Sequence, residues 1–182
     1  MKIYTRKGDD GTTGLLFGGR ESKDSDRVEL NGLVDEAQAA IGLARAFAED
    51  NELNDICVAL ERDLWVLMAE VATATENRHK LIPGSSLVTE EMVAKIETTI
   101  DAFEGRFDMP TEFVIPGGSV ISSQLDVART VVRRAERGAV WFSRTYPGSF
   151  VGAYLNRLSD LLWMLARWAE GSSTLSRQRE GK

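Results

Sequence analysis

An all-α, five-helix up-and-down bundle is the fold this sequence predicts, and three observations carry it. Apolar residues recur three and four apart through most of the chain, a few Pro/Gly turns divide that pattern into helix-length pieces, and the one long segment without a period is a glycine-rich N-terminus. At 182 residues the chain fits one domain with a sizeable core. It reads as a glycine-rich arm over 1–25, a helical bundle over 26–170 and a polar tail over 171–182.

In the arm, Thr5 to Arg20 holds five glycines and three threonines and shows neither helical nor strand period, so it reads as a loop or mobile arm. The first helix is expected from Asp26 as N-cap to about Asp50, with Leu30, Leu33, Val34, Ala37, Ile41 and Ala44 inward. The second covers about 52–77, with Leu53, Ile56, Leu60, Leu64, Leu67, Met68 and Val71 on one stripe. Pro83-Gly84 breaks the chain, and a third helix starts near Thr89, Glu90 and Glu91 suiting the positive end of its dipole. Glu112 to Ile115 is a short extended piece between Pro110 and Pro116. A fourth helix, capped by Ser119, runs to the Tyr146-Pro147-Gly148 break, and the last spans about Phe150 to Glu170.

Several function classes fall away on composition. A net charge of −6 argues against wholesale nucleic-acid binding, which needs a basic face, but leaves room for a local site for a small polyanion. No stretch approaches the roughly 20 apolar residues of a membrane span. The single cysteine, Cys57, excludes an internal disulfide, and with an N-terminus lacking an apolar leader this points to the cytoplasm. One His and one Cys cannot build a zinc site. Glu76-x-x-His79 is half of a di-iron motif that needs two halves, and His79 is the only histidine.

The fourth helix is the most informative segment. Ile121, Leu125, Ala128, Val132, Ala135, Ala139 and Phe142 form its core stripe, and Arg129, Arg133 and Glu136 form a second row about a quarter turn away, at the edge of the buried face. Arg134 points toward solvent or a neighbouring subunit. Surface ion pairs such as Arg129–Glu136 are the plain reading. A row bordering the core of an acidic chain nevertheless calls for a partner, Asp35 or a phosphate chain being candidates. In the arm, Gly8, Gly11 and Gly14 are spaced for an anion-binding nest, Thr12 and Thr13 add hydroxyls, and Arg6, Lys7 and Lys23 add charge; it is not a Walker A motif. The plain reading there is a floppy terminus. Asn156 shares a face with Asp160 and Trp163 and would otherwise be a surface group. Phe113 would otherwise be a core plug, and Trp65, Trp141, Trp163 and Trp168 core or interface residues.

Together these segments resemble the PduO-type ATP:cob(I)alamin adenosyltransferases over almost the whole chain. The arm Thr5 to Leu15, Val34-Asp35-Glu36 with Ile41-Gly42, Phe113 to Gly118, Ala128 to Arg137 and Tyr154 to Asp160 match the family's signatures in order. Asp126 stands where the family often has His, and Val132 where it often has Cys. The resemblance implies a ferritin-like bundle that assembles as a homotrimer, with active sites between adjacent subunits. It implies transfer of the 5′-deoxyadenosyl group of ATP to the cobalt of reduced cobalamin. ATP would be lined by Thr5, Arg6, Lys7, Gly8, Thr13, Gly14 and Lys23 from the arm, and by Arg133, Arg134, Glu136, Arg137 and Asn156 from the bundle. Asp35 and Arg129 would form an intersubunit ion pair, Phe113 would displace the axial base below the corrin, and Glu136 would help hold Mg²⁺. Because reduced cobalt is itself the nucleophile, no protein nucleophile or general base is required. A reductase and a B12-dependent client enzyme are the implied partners. The alternatives are a non-catalytic corrinoid carrier or nucleotide sensor of the same fold, and a purely structural helical oligomer.

Overall fold

The computed structural model describes residues 3–177; the first two residues of the arm and positions 178–182 of the tail lie outside the described residues. Its elements are β1 (Thr12–Gly14), β2 (Arg20–Ser22), α1 (Asp26–Ala46), α2 (Asn51–Val71), a 3₁₀ turn (Thr75–Lys80), α3 (Glu90–Phe103), α4 (Val120–Gly138), α5 (Val140–Thr145) and α6 (Val151–Glu170). The five predicted helices are α1, α2, α3, α4 and α6. The predicted apolar stripes are the core: Val34, Ala37, Ile41, Leu64, Leu67, Leu125, Ala128, Val132 and Ala135 are all fully buried.

Packing runs α2–α1–α4–α6–α3, so α1 and α4 are central neighbours although far apart in sequence. Direction alternates along the chain. α1 and α4 are antiparallel, with Arg134 meeting Glu36, and so are α4 and α6, with Asn156 meeting Glu136. α3 lies parallel to α6, shown by the Arg157–Glu97 pair and the Trp168–Phe103 edge contact. Between α2 and α3 runs a groove of about 700 Å³. Among the described residues no helix is long and apolar enough to cross a membrane.

Four local expectations are corrected. The N-cap of α1 is Ser25, not Asp26: its extended backbone turns its hydroxyl to accept from Val28 N–H at 3.4 Å, and Asp26 sits in the first turn. α2 stops at Val71 rather than near 77, because its terminal carbonyls are taken from outside. Leu16 N–H donates to Ala72 O at 2.9 Å, and Arg27 Nη1 donates to Val71 O and Thr73 O at 2.6 and 2.7 Å. The arm is not shapeless: β1 and β2 pair antiparallel, Thr13 opposite Glu21, around a turn in which Phe17, Gly18 and Gly19 all have positive φ. Three polar residues per strand carry no alternation to read. The fourth helix is interrupted at Ala139, whose N–H is shared between Ala135 O and Glu136 O. There α4 lies so close to α1 that a side chain on Gly138 would meet Leu33 at 2.8 Å. The start of α4 was read correctly, with Ser119 and Ser122 forming a reciprocal capping box.

Candidate active site

The charged row of α4 lies where its period placed it, along the seam with α6. At the C-terminal end of that row, Asn156 Nδ2 donates to Glu136 Oε1 at 2.8 Å, and Arg157 Nη1 donates to Asn156 Oδ1 at 2.8 Å. The second oxygen of Glu136 has no hydrogen-bond partner among the described residues; Arg133 Nη1 approaches it only to 3.6 Å. Arg137 donates to Arg133 O at 3.1 Å. Both arginines stay exposed. The cluster is thus preorganised from behind, by Asn156, with its guanidinium groups presented outward. That arrangement suits a phosphate chain, and a carboxylate oxygen without a hydrogen-bond partner beside it suits a divalent ion held mainly by phosphates. Among the described residues no group of His, Cys, Asp and Glu could hold a metal unaided.

The Arg129–Glu136 pairing is not formed; Glu136 faces Arg133, and Arg129 Nε donates to Asp126 Oδ1 at 3.0 Å. Arg134 is exposed, as expected, and pairs with Glu36 on α1. Within one chain Asp35 is exposed and makes no ion pair among the described residues.

The arm reaches the same end of the bundle. Its root is fastened by Leu16 to the end of α2, and by Arg27, which bonds Tyr146 and pairs with Glu21 at 3.5 Å. Thr5, Arg6, Lys7 and Gly14 are exposed, Arg6 with φ +60° beside the ring of Tyr4. Gly8 is packed under Lys23, whose Nζ a side chain there would meet at 3.2 Å. The nest is partly spent on itself. Gly11 N–H donates to Gly8 O, and Thr12 hydroxyl and N–H both donate to Asp10, holding its carboxyl below the usual range. Arg20, unremarked in the sequence, ties Thr12 Oγ1 to the carbonyl of Lys7. No hydrogen bond or ion pair among the described residues joins Thr5–Gly14 to Arg133 or Arg137.

The opposite end of the same seam carries Phe113. The core-plug reading fails there: Phe113 is 86% exposed. Its backbone is held by the start of the tail, Ser176 N–H donating to Phe113 O at 2.7 Å and Ile115 N–H to Thr174 O at 2.8 Å. Beside it Asp126, Arg167 and Glu170 form a buried charged ladder that sequence reading missed. Arg167 sits inside the apolar run Leu161–Trp168, and its partner Asp126 is 41 residues away, so only a spatial neighbour identifies it.

Chemically, the site offers cations, amides and one incompletely paired carboxylate rather than a nucleophile–base pair. His79 is exposed on the 3₁₀ turn, and burial with the nearby Glu61 charge pushes the Cys57 thiol up to about 11. The arrangement can bind and align a polyphosphate at one end and present an aromatic ring at the other.

Comparison with known proteins agrees with this. The chain is 40% identical over 172 residues to the corrinoid adenosyltransferase of Mycobacterium tuberculosis, covering 92% of this chain and 88% of that one. It is 39% identical over 170 residues to the corrinoid adenosyltransferase of Citrobacter freundii, covering 93% and 95%. In fold it is similar to a phenylalanine-to-alanine variant of the PduO-type ATP:corrinoid adenosyltransferase from Lactobacillus reuteri, solved with cobalamin and ATP. There the TM-score is 0.85 at 27% identity, covering 97% of this chain and all of that one. The cobalamin adenosyltransferase profile matches residues 3–169. By both sequence and fold, this chain belongs to the cobalamin adenosyltransferase family.

Proposed function

We propose that this chain transfers the 5′-deoxyadenosyl group of ATP to the cobalt of reduced cobalamin, releasing triphosphate. The observation that carries the reading is the outward-facing Arg133–Glu136–Asn156–Arg137 cluster at the arm's end of the bundle. In the reaction, the electron pair of reduced cobalt forms the bond to the ribose 5′ carbon, and the carbon–oxygen bond breaks with its pair leaving on triphosphate. The protein need only align the two and stabilise the developing charge. Arg133 and Arg137 would take the phosphates, Glu136 would share Mg²⁺ with them, and the arm, through Thr5 to Gly14 and Lys23, would close over the nucleotide. Mg²⁺ supplies further neutralisation of the leaving group.

The site is assigned to the junction of two copies in a homotrimer, and the spacing supports this. Phe113 precedes α4, whereas Arg133 is thirteen residues into it, a separation of about 20 Å along the axis. Reacting atoms must come within about 3.5 Å, so Phe113 and Arg133 of one chain stand too far apart to serve one cobalt. Phe113 of one copy facing the ATP cluster of the next would, with the exposed Asp35 reaching Arg129 across the boundary. Leu43 on α1, Phe47 just past its end and Val127 on α4, all exposed, supply apolar surface for such a contact.

The test is direct: ATP, Mg²⁺ and reduced cobalamin with purified protein should yield the adenosylcobalamin spectrum, and failure to do so rejects the reading. Phe113→Ala should slow the reaction from cobalt(II) more than from pre-reduced cobalt. Because Phe113 is exposed, its melting temperature should stay unchanged, whereas a core phenylalanine would cost about 3–5 kcal/mol.

A further inference from the structure

We propose that Asp126, Arg167 and Glu170 are positioning residues for the corrinoid half of the site, acting through Arg129 at one end and through the Phe113–Gly118 segment at the other. The inference rests on the proposed activity and extends it to residues that touch neither substrate.

The four charges form one alternating chain running from the interior to the surface. Glu170 Oε2 lies 3.0 Å from Arg167 Nε, Arg167 Nη2 donates to Asp126 Oδ2 at 2.6 Å, and Asp126 Oδ1 accepts from Arg129 Nε at 3.0 Å. Arg167 is 2% exposed, yet its charge is matched by carboxylates on both sides. Buried ion pairs of this kind gain little over apolar packing of the same volume, so stability alone is a poor reason for the ladder. Its geometry supplies another. Asp126 holds Arg129 by Nε only, leaving both terminal nitrogens of Arg129 without a partner among the described residues. A guanidinium gripped by one edge is fixed in plane and direction, and its free edge is presented at the rim of a cavity of about 300 Å³ shared with Pro116 and Gly117.

The inner end reaches the same loop. Glu170 Oε1 has no hydrogen-bond partner among the described residues and lies against Gly118, where any side chain would collide with the carboxylate. Residues just beyond Glu170 then pair with the backbone of Phe113 and Ile115. One neutral, rigid ladder therefore sets both the direction of Arg129 and the seat of the segment that carries Phe113.

The experiment is a double-variant cycle with two readouts, cobalamin affinity by calorimetry on the ATP-loaded protein and KM for ATP. Asp126→Asn cannot satisfy two arginines, and losing one charge-assisted bond should weaken cobalamin binding by about tenfold while KM for ATP stays within about twofold. In an Arg129→Ala background the same change should add less than about twofold, because its target is already gone. Equal losses with and without Arg129, or parallel changes for ATP and cobalamin, overturn the proposal. Gly118→Ala perturbs the other end without touching Asp126 and covers the case in which Asp126→Asn fails to fold. It should weaken cobalamin and spare ATP; an unchanged cobalamin affinity overturns the proposal. Wild-type protein that makes no adenosylcobalamin would reject the activity itself, whereas active wild type with additive variants rejects only the ladder's role.

Discussion

Two clusters, each pairing arginine with glutamate, sit on one seam between α4 and α6, and they are opposites. Asp126, Arg167 and Glu170 are sealed from water and joined by ion pairs, with only Glu170 Oε1 and Arg167 Nε lacking a hydrogen-bond partner among the described residues. Arg133, Glu136 and Asn156, about two turns farther along α4, are open: the Arg133–Glu136 contact is long, and one carboxylate oxygen is unsatisfied. The sealed cluster faces the interior, where an unmatched charge costs several kcal/mol, so closure is enforced. The arginines of the open cluster face water, where leaving a charge unmatched costs little, and that freedom is what a ligand can use. An arginine buried between carboxylates marks scaffold, and an arginine left exposed at a preorganised edge marks a binding site.

The largest effect should come from breaking the sealed cluster. Arg167→Ala leaves Glu170 buried without an ion-pair partner and Asp126 with Arg129 alone, and should cost about 3–5 kcal/mol in urea denaturation, with ATP binding intact in whatever fraction folds. A stability loss near zero would mean that water enters the ladder and that it is not sealed.

Breaking the open cluster should do the reverse. Arg133→Ala should change stability by no more than about 0.5 kcal/mol, as expected at an exposed site. It should nevertheless lower kcat by about 10²-fold or more through loss of a donor to the departing triphosphate. A normal kcat with a lowered melting temperature would exchange the roles of the two clusters.

A third carboxylate, Asp63, sharpens the contrast because it is half-buried with a neutral partner, accepting from Tyr154 Oη at 3.0 Å. Burial raises its carboxyl above the ordinary 3.8, against the Tyr154 hydrogen bond and the charge of Lys95. The folded value lies above the unfolded one. The stability tied to the protonated form is therefore complete below the unfolded value and is lost as pH rises through the folded one. Asp63→Asn keeps the acceptor for Tyr154 and should be neutral to stabilising at pH 7, by under about 1 kcal/mol given the solvent screening, an advantage that disappears in acid. Melting curves of both forms between pH 3 and 7 measure it.

These contrasts show how far the sequence could be read. The α4 row was legible, since a charged set at steps of four and three beside an apolar stripe fixes its angle on any helix. The pairing within that row was not. Nothing in the spacing tells Arg129–Glu136 from Arg133–Glu136, and Asp126 was passed over as a neutral departure from the family although it holds Arg129. Arg167 was invisible because a lone arginine in an apolar run has the same local pattern whether it emerges to water or is met by a carboxylate. Phe113 read equally well as core or site until its exposure separated the two.

The sequence by itself determined the helices, their inward stripes, the Ser119 cap and the motif set that identifies the family, all properties of residues within one or two turns of each other. Tertiary structure decided where α2 ends, because the carbonyl of Ala72 is claimed by Leu16 of the arm and those of Val71 and Thr73 by Arg27 of α1; that the arm holds a hairpin; and which arginines are closed and which open. It also placed Phe113 and Arg133 at opposite ends of one seam. Each of these depends on a partner tens of residues away. Local periodicity fixes the direction in which a side chain points but carries no information about what stands there to meet it.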